Sequence, residues 1–167
     1  MNAEALAAAQ ADWQARGRAW VAGVLDPDAC AAARAAVDRD PVVSVVSPGA
    51  WVWFASSEVD PALLARVVEV ARAVVGLDVV AGQASVRRFP RGAWADLDPR
   101  DAGFVGFALD LSTTGLVGGA RRFPGEAWPA AVGGLGLWWE DGVTPVAVDL
   151  VRAGERVELT GVLGAAG

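Results

Sequence analysis

The sequence predicts one domain of mixed architecture, a small β-sandwich or barrel with helices packed on it. Its 167 residues are enough for a single domain with a substantial core. Up to Gly76, segments with helix-start signals alternate with short strands. Beyond Gly76, short β-rich runs recur at roughly ten-residue spacing, separated by Gly, Pro and Asp. We therefore treat 1–167 as a single domain with a helix-rich part, 1–76, and a β core, 77–167.

Helix-start signals define the first part. Asp26 followed by Pro27 is typical of an N-cap and the first helical position, and Asp60 followed by Pro61 repeats the signal. Gly76 ends the third helix. The sequence predicts helices at about 3–17, 26–37 and 60–75, and strands at Arg18–Leu25 and Ala50–Ser56.

The second part is predicted to be almost entirely β. Its expected strands are Ala84–Phe89, Phe104–Leu111, Gly136–Trp139, Val146–Val151 and Arg156–Leu163. We expect these strands to form two facing antiparallel sheets, with the helices on one outer face. Arg121 and Arg122 follow a Gly-Gly turn and are interpreted as a solvent-facing edge that discourages strand pairing.

Composition restricts the chemistry. The chain has no histidine and no tyrosine, so acid–base work falls to Asp, Glu, Arg, Cys or the backbone. Its single cysteine, Cys30, allows neither an internal disulfide nor a thiolate metal site, and it is interpreted as a core residue in a protein of the reducing cytoplasm. The residues predict neither a metal site nor a cofactor.

Charge and hydropathy exclude two classes of partner. The net charge of −6 argues against nucleic-acid binding, which needs clustered positive charge. No apolar run of about 18 residues is present, so a membrane partner is not expected. A small-molecule ligand is the expected partner, and the oligomeric state is left open, with a homodimer as one alternative.

Several phrases in the sequence resemble the prolyl-hydroxylase-like branch of the Fe(II)- and 2-oxoglutarate-dependent oxygenases. They are "VLDPDACAAARAAV", "QASVRRFPRG", "FVGFALDLS", "VGGARRF" and "AGERVELTGVL", in that order. The resemblance runs from about Trp20 to the end of the chain. It implies a double-stranded β-helix (jelly roll) with the N-terminal helices packed on one face.

The resemblance also implies that the iron ligands are missing. That family binds iron through a His-x-Asp pair and a distant His. Counting from Gly92 places the pair at Asp98 and Arg100, or at Asp96 and Asp98 if the loop is two residues shorter. Counting back from Gly154 places the distant ligand at Val146.

The position of the 2-oxoglutarate cosubstrate is changed as well. Arg156 corresponds to the family's carboxylate-binding arginine, but Glu158 replaces the small hydroxyl residue that usually follows it. We interpret Arg156 and Glu158 as an internal ion pair, the alternative being that Arg156 still binds a carboxylate.

Two functions remain open. The first is a metal-independent cyclase, isomerase or lyase acting on a mostly apolar small molecule. Asp98 or Asp96 would be its acid–base group. The residues expected to bind substrate are Arg100, Arg156, Arg87, Trp94, Trp51, Trp53, Val146 and Glu158.

The second function is a catalytically inert relative that binds a ligand or a partner protein. An open pocket containing a carboxylate favours the enzyme, whereas a cavity filled by Trp51, Trp53 or Trp94 favours the inert protein. A composition rich in Ala, Val, Gly and Arg and poor in Lys is typical of high-GC bacterial genomes. Such genomes often carry biosynthetic clusters, which favours the enzyme.

Overall fold

The computed structural model describes residues 3–38, 41–47, 50–55, 59–97 and 101–166, and for 37, 41–47 and 50–55 it describes the backbone alone. The helices are α1 (Ala3–Arg16), α2 (Pro27–Asp38) and α3 (Pro61–Val75). The strands are β1 (Arg18–Val21), β2 (Pro41–Ser47), β3 (Ala50–Ala55), β4 (Val79–Phe89), β5 (Ala95–Leu97), β6 (Phe104–Asp110), β7 (Val117–Gly118), β8 (Arg121–Phe123), β9 (Glu126–Trp128), β10 (Leu135–Glu140), β11 (Val146–Val148), β12 (Val151–Ala153) and β13 (Arg156–Ala165).

Local signals set the helix ends as predicted. The Asp60 carboxylate accepts a hydrogen bond from the backbone N–H of Ala62 at 2.8 Å, and Asp26 accepts one from Ala29 at 2.7 Å. At the end of α3, Gly76 adopts the left-handed conformation with φ of +73°. A side chain would be strained there, which is why glycine follows so many helices.

The strands form two main sheets. The large sheet has seven strands in the order β1-β10-β6-β13-β4-β3-β2, and the small sheet has four in the order β5-β11-β8-β9. A short third sheet pairs β12 with β7. Each pairing in the described parts of the chain is antiparallel, which confirms the predicted sandwich. The strand at 41–47 and the short strands β5, β7, β8 and β9 were not predicted. The strands β1, β2 and β3 place part of the N-terminal half in the large sheet.

The helices cover one face of the large sheet. A single buried cluster joins the three helices to β6, β10 and β13, and Cys30 is one of its members. Burial raises the pKa of the Cys30 thiol, as expected of a core residue. The predicted position of the helices on one outer face is therefore confirmed.

The opposite face of the large sheet packs against the small sheet. One cluster joins Phe89 of β4 to Val148 of β11, and another joins Trp138 of β10 to Phe123 of β8. This space between the sheets, the sandwich interior, is where a jelly roll holds its ligands. Within the described residues, no helix has both the length and the apolar character that crossing a membrane requires.

Candidate functional site

Strand β13 presents its charged residues to the sandwich interior. Side chains alternate between the two faces of a strand, and Val157 and Leu159 pack on the helix side. Arg156, Glu158 and Thr160 therefore face the small sheet. All three are buried, and Glu158 has no exposed surface at all. A buried carboxylate is costly unless it is paired, so its partners define the site.

Glu158 lies between two arginines. The Arg156 guanidinium donates from Nε to Glu158 Oε2 at 3.0 Å, and its NH2 lies 2.9 Å from the same oxygen. Arg121 NH2 donates to the other oxygen, Oε1, at 2.5 Å. Arg121 is only 1% exposed. The predicted Arg156–Glu158 ion pair is confirmed, and Arg121 completes an arrangement that we call the ion cluster (Arg121, Arg156 and Glu158).

Further contacts hold Arg156 in the ion cluster. Its NH1 donates to the backbone oxygen of Gly119 at 2.6 Å and lies 3.7 Å from a carboxylate oxygen of Asp110. Asp110 is itself fixed, because it accepts hydrogen bonds from the backbone N–H groups of Ser112 and Ala131 at 2.8 and 2.9 Å. The guanidinium of Arg156 is thus engaged entirely by groups of this chain.

The charges determine how Glu158 ionises. Burial opposes the ionised form, but the positive charges of Arg121 and Arg156, with a smaller contribution from Arg87, outweigh it and lower the pKa of Glu158 to about 2. Glu158 is therefore an anion at neutral pH. It holds no proton there, so it cannot serve as a general acid.

An aromatic cluster lies beside the ion cluster. It contains Trp138, Trp128, Phe123 and Val146, with Trp20 packed against it. The Arg121 guanidinium lies over the ring of Trp138, 4.9 Å from the ring centre, in a cation–π contact.

Trp138 is also hydrogen-bonded to the buried carboxylate of Glu140. Its indole N–H donates to Glu140 Oε1 at 2.9 Å, and Glu140 is only 4% exposed. Gly106 makes room for both side chains, because a Cβ at this position would lie 2.6 Å from Glu140 Oε1 and still closer to the Trp138 ring.

The structure separates two of the predicted site residues. Val146 is buried in the aromatic cluster. Asp96 is exposed and lies directly opposite Ala147 in the β5–β11 pairing, one residue from Val146 and so on the other face of the small sheet. Asp96 therefore lies outside the sandwich interior.

The other predicted residues differ in what the structure describes. Asp98 and Arg100 lie outside the described residues, as do the side chains of Trp51 and Trp53. Trp94 is exposed at the surface, at 42%, so it does not fill the interior. Arg87 is half-buried, opposite Glu158 in the β13–β4 pairing.

Arg121 and Glu140 were not found from the sequence. The prediction that Arg121 is a solvent-facing edge residue is wrong: Arg122 faces solvent and pairs with Asp149, whereas Arg121 points inward. The alternation Arg121–Arg122–Phe123 carried this signal, since an inward Phe123 places Arg121 on the same face. Glu140 is two residues from Trp138 on β10, and this spacing likewise indicates that the two side chains lie on the same face.

These residues do not fit an iron site. Iron of the kind implied by the resemblance needs imidazole and carboxylate ligands around one point. The chain has no histidine, and the position implied for the distant ligand carries the buried apolar side chain of Val146. Among the described residues, no three His, Cys, Asp or Glu side chains are grouped so that they could hold a metal ion.

An open groove lies elsewhere on the surface. It has a volume of about 640 Å³ and runs along α3 and the start of β4, where Leu64, Val68 and Val80 line it. It is lined by neither Glu158 nor the aromatic cluster, so it is separate from the sandwich interior.

Comparison with known proteins identifies the fold. No protein-family model matches the chain, and no curated protein matches it in sequence. A prolyl-4-hydroxylase of Pseudomonas putida superposes with a TM-score of 0.74 at 20% identity, covering 96% of this chain and 99% of its own.

Two proteins of nogalamycin biosynthesis also superpose. The non-heme α-ketoglutarate-dependent epimerase SnoN gives a TM-score of 0.77 at 14% identity, covering 99% of this chain and 85% of its own. The carbocyclase SnoK, also α-ketoglutarate-dependent, gives 0.69 at 12% identity with the same coverage. This chain therefore has the double-stranded β-helix fold of the oxygenases that its sequence resembles.

Proposed function

We propose that this chain is a metal-independent enzyme of the oxygenase fold, a cyclase, isomerase or lyase acting on a mostly apolar small molecule. The ion cluster is the observation that supports it. Arg156 lies at the position where the resemblance implies an arginine that binds 2-oxoglutarate. Its guanidinium is already bound by the carboxylate of Glu158. A dicarboxylate approaching that guanidinium would meet a buried carboxylate of the same charge. In this proposal the chain binds neither 2-oxoglutarate nor, for lack of imidazole ligands, iron. The oxidative chemistry of the oxygenases needs both.

The reaction then needs an acid–base group of the chain. We assign that role to Asp98, with Asp96 as the alternative that follows from the shorter loop. Asp96 is the weaker candidate, because its side chain lies on the outer face of the small sheet. The apolar surroundings of Val146 would favour the protonated form of a nearby carboxyl, as a general acid requires.

The two nogalamycin proteins support the reaction class. SnoN is named an epimerase and SnoK a carbocyclase, both from nogalamycin biosynthesis. Both are named as α-ketoglutarate-dependent, which our proposal for this chain is not. The substrate class is inferred from the apolar and aromatic lining of the interior, with Arg87 or Arg100 as the group that steadies an anion.

A second candidate function is a catalytically inert protein that binds a ligand or a partner. The packing of the interior favours it, because Arg121, Trp138, Trp128 and Phe123 fill space between the two sheets. An enzyme needs room beside its acid–base group, whereas a binding protein can use its outer surface.

The first test is for the reagents of the oxygenases. We expect the purified chain to retain no stoichiometric iron by elemental analysis. We also expect no heat of binding on titration with 2-oxoglutarate and Fe²⁺. Tight stoichiometric Fe²⁺ binding, or conversion of 2-oxoglutarate to succinate, would overturn the proposal.

The second test separates the enzyme from the inert protein. Metabolite extracts are incubated with the chain in excess EDTA, and the products are followed by liquid chromatography and mass spectrometry. Once a converted compound is found, Asp98→Asn should lower turnover by about a hundredfold or more while the protein stays folded. Asp96→Asn is tested beside it, and a comparable loss of turnover in this variant alone would assign the acid–base role to Asp96. If binding is found without conversion, the inert protein is correct. If Asp98→Asn and Asp96→Asn both keep full activity, the carboxylate mechanism is wrong.

A further inference from the structure

The ion cluster has the geometry of a carboxylate-binding site. The two oxygens of Glu158 are contacted by different guanidinium groups, Oε2 by Arg156 and Oε1 by Arg121. Proteins bind free carboxylate ligands with paired charge-assisted hydrogen bonds of this kind. Here the carboxylate belongs to the chain itself.

The two arginines are held by contacts that do not involve Glu158. Arg156 NH1 donates to the Gly119 oxygen at 2.6 Å. Arg121 lies over the Trp138 ring, and its backbone is paired with both Trp128 of β9 and Val148 of β11. Because these contacts do not involve the carboxylate, we expect the guanidinium groups to keep their places when the carboxylate is removed. The replaceable part of the cluster is the Glu158 side chain.

We propose that Arg121 and Arg156 form a small-carboxylate-binding site whose ligand is the chain's own Glu158, and that shortening this side chain opens the site to a free monocarboxylate. This site is distinct from the proposed acid–base group Asp98. The inference therefore holds whether the chain is an enzyme or an inert protein.

The atoms removed from the Glu158 side chain determine which free ligand should fit the site. Replacing glutamate by alanine removes one CH₂ and one carboxylate, which together have the size and charge of acetate. The vacated space is bounded by the two guanidinium groups, so it selects for a negative charge as well as for size. Acetamide has the same shape without the charge, and it is the matched control ligand.

The experiment measures thermal unfolding of Glu158→Ala in increasing sodium acetate, at constant ionic strength and pH 7. We expect acetate to stabilise this variant saturably. At a concentration tenfold above its Kd, acetate should raise the folding equilibrium constant about elevenfold. The midpoint should then rise by several degrees. Acetamide should have no such effect, and the unsubstituted chain should not respond to acetate.

Two further variants guard the interpretation. Glu158→Gln fills the space with an uncharged side chain and should not respond to acetate. Glu155→Ala removes the same atoms from a more exposed position, where Glu155 pairs with Arg88, and should show no saturable effect. If Glu158→Ala does not fold alone, refolding it with and without acetate gives the same answer, since folded protein should then be recovered only with acetate.

The inference is overturned if acetate stabilises Glu158→Ala no more than acetamide does, or if the unsubstituted chain responds equally. Refolding that is no better in acetate would also overturn it. None of these outcomes depends on iron, on 2-oxoglutarate or on Asp98. Failure here is therefore distinguishable from failure of the proposed function.

Discussion

Glu158→Gln keeps the size of the side chain and removes its charge, so it isolates the electrostatic role of the ion cluster. Both oxygens of Glu158 accept from guanidinium groups, and the residue is fully buried. With glutamine, Arg121 and Arg156 lose their common counter-charge inside the protein. Breaking a buried ion pair by removing one partner costs about 3–5 kcal/mol of the free energy of unfolding.

The lowered pKa of Glu158 reflects the same interaction. The lowering of the Glu158 pKa from its ordinary 4.5 to about 2, at 1.36 kcal/mol per pH unit, corresponds to about 3 kcal/mol. Because the folded-state pKa is the lower one, this stability is fully present above pH 4.5. It is lost as the pH falls through about 2, since the unfolded chain takes up a proton before the folded chain does.

The assay is urea denaturation followed by tryptophan fluorescence, at several pH values between 7 and 2. At pH 7 we expect Glu158→Gln to be about 3 kcal/mol less stable than the unsubstituted chain. The difference should shrink as the pH falls from 5 to 2, because only the unsubstituted chain loses the Glu158 contribution. A variant within 1 kcal/mol at pH 7, or a difference that stays constant with pH, would refute the electrostatic account.

Three more substitutions test the packing beside the ion cluster and the N-cap of α3. Gly106→Ala should lower the free energy of unfolding by about 1–3 kcal/mol, because its Cβ would overlap Trp138 and Glu140. Gly115→Ala places its Cβ in open space and should lower it much less, and equal losses would contradict the packing described. Trp138→Phe removes the N–H group that donates to Glu140 and should lower the free energy of unfolding by about 1–3 kcal/mol in urea denaturation. Trp139→Phe, at an exposed position, should lower it by no more than about 0.5 kcal/mol, and the reverse order would disprove the assigned contact. Asp60→Ala should lower stability by about 1 kcal/mol through loss of the α3 N-cap, and Asp60→Asn by only a few tenths; no difference between the two would show that the cap is not stabilising.

Features with local causes could be predicted from the sequence. The limits of α3 depend on Asp60, Pro61 and Gly76, which act within one turn of the helix ends. The longer strands of the β core, β4, β6, β10 and β13, follow from short apolar runs between turn residues, whereas the short strands β5, β7, β8 and β9 were not predicted. The strand at 41–47 was missed although its pairing with the next strand, β3, is local; only its place at the edge of the large sheet depends on contacts far along the chain.

Features that depend on which strands face each other could not be predicted locally. Arg121 and Glu158 are 37 residues apart, and they meet only because the small sheet lies over the large one. Asp96, which lies within β5, and Asp98, which comes after it in the sequence, raise the same problem. Counting from Gly92 gives their positions, but the pairing of β5 with β11 decides the face on which Asp96 lies.

The buried carboxylates of the described interior all make structural contacts. Glu158 is held as an anion by two arginines, and Asp110 accepts from two backbone N–H groups, so both are committed to structure. Glu140 accepts from Trp138 against Gly106, where an added Cβ would not fit. Asp96 is on the outer face of the small sheet. If the chain is an enzyme of the class we propose, our candidate for the acid is Asp98, which lies outside the described residues. Conversion of a compound in excess EDTA separates an enzyme from a protein that only binds, and Asp98→Asn then tests whether this carboxyl group is the acid.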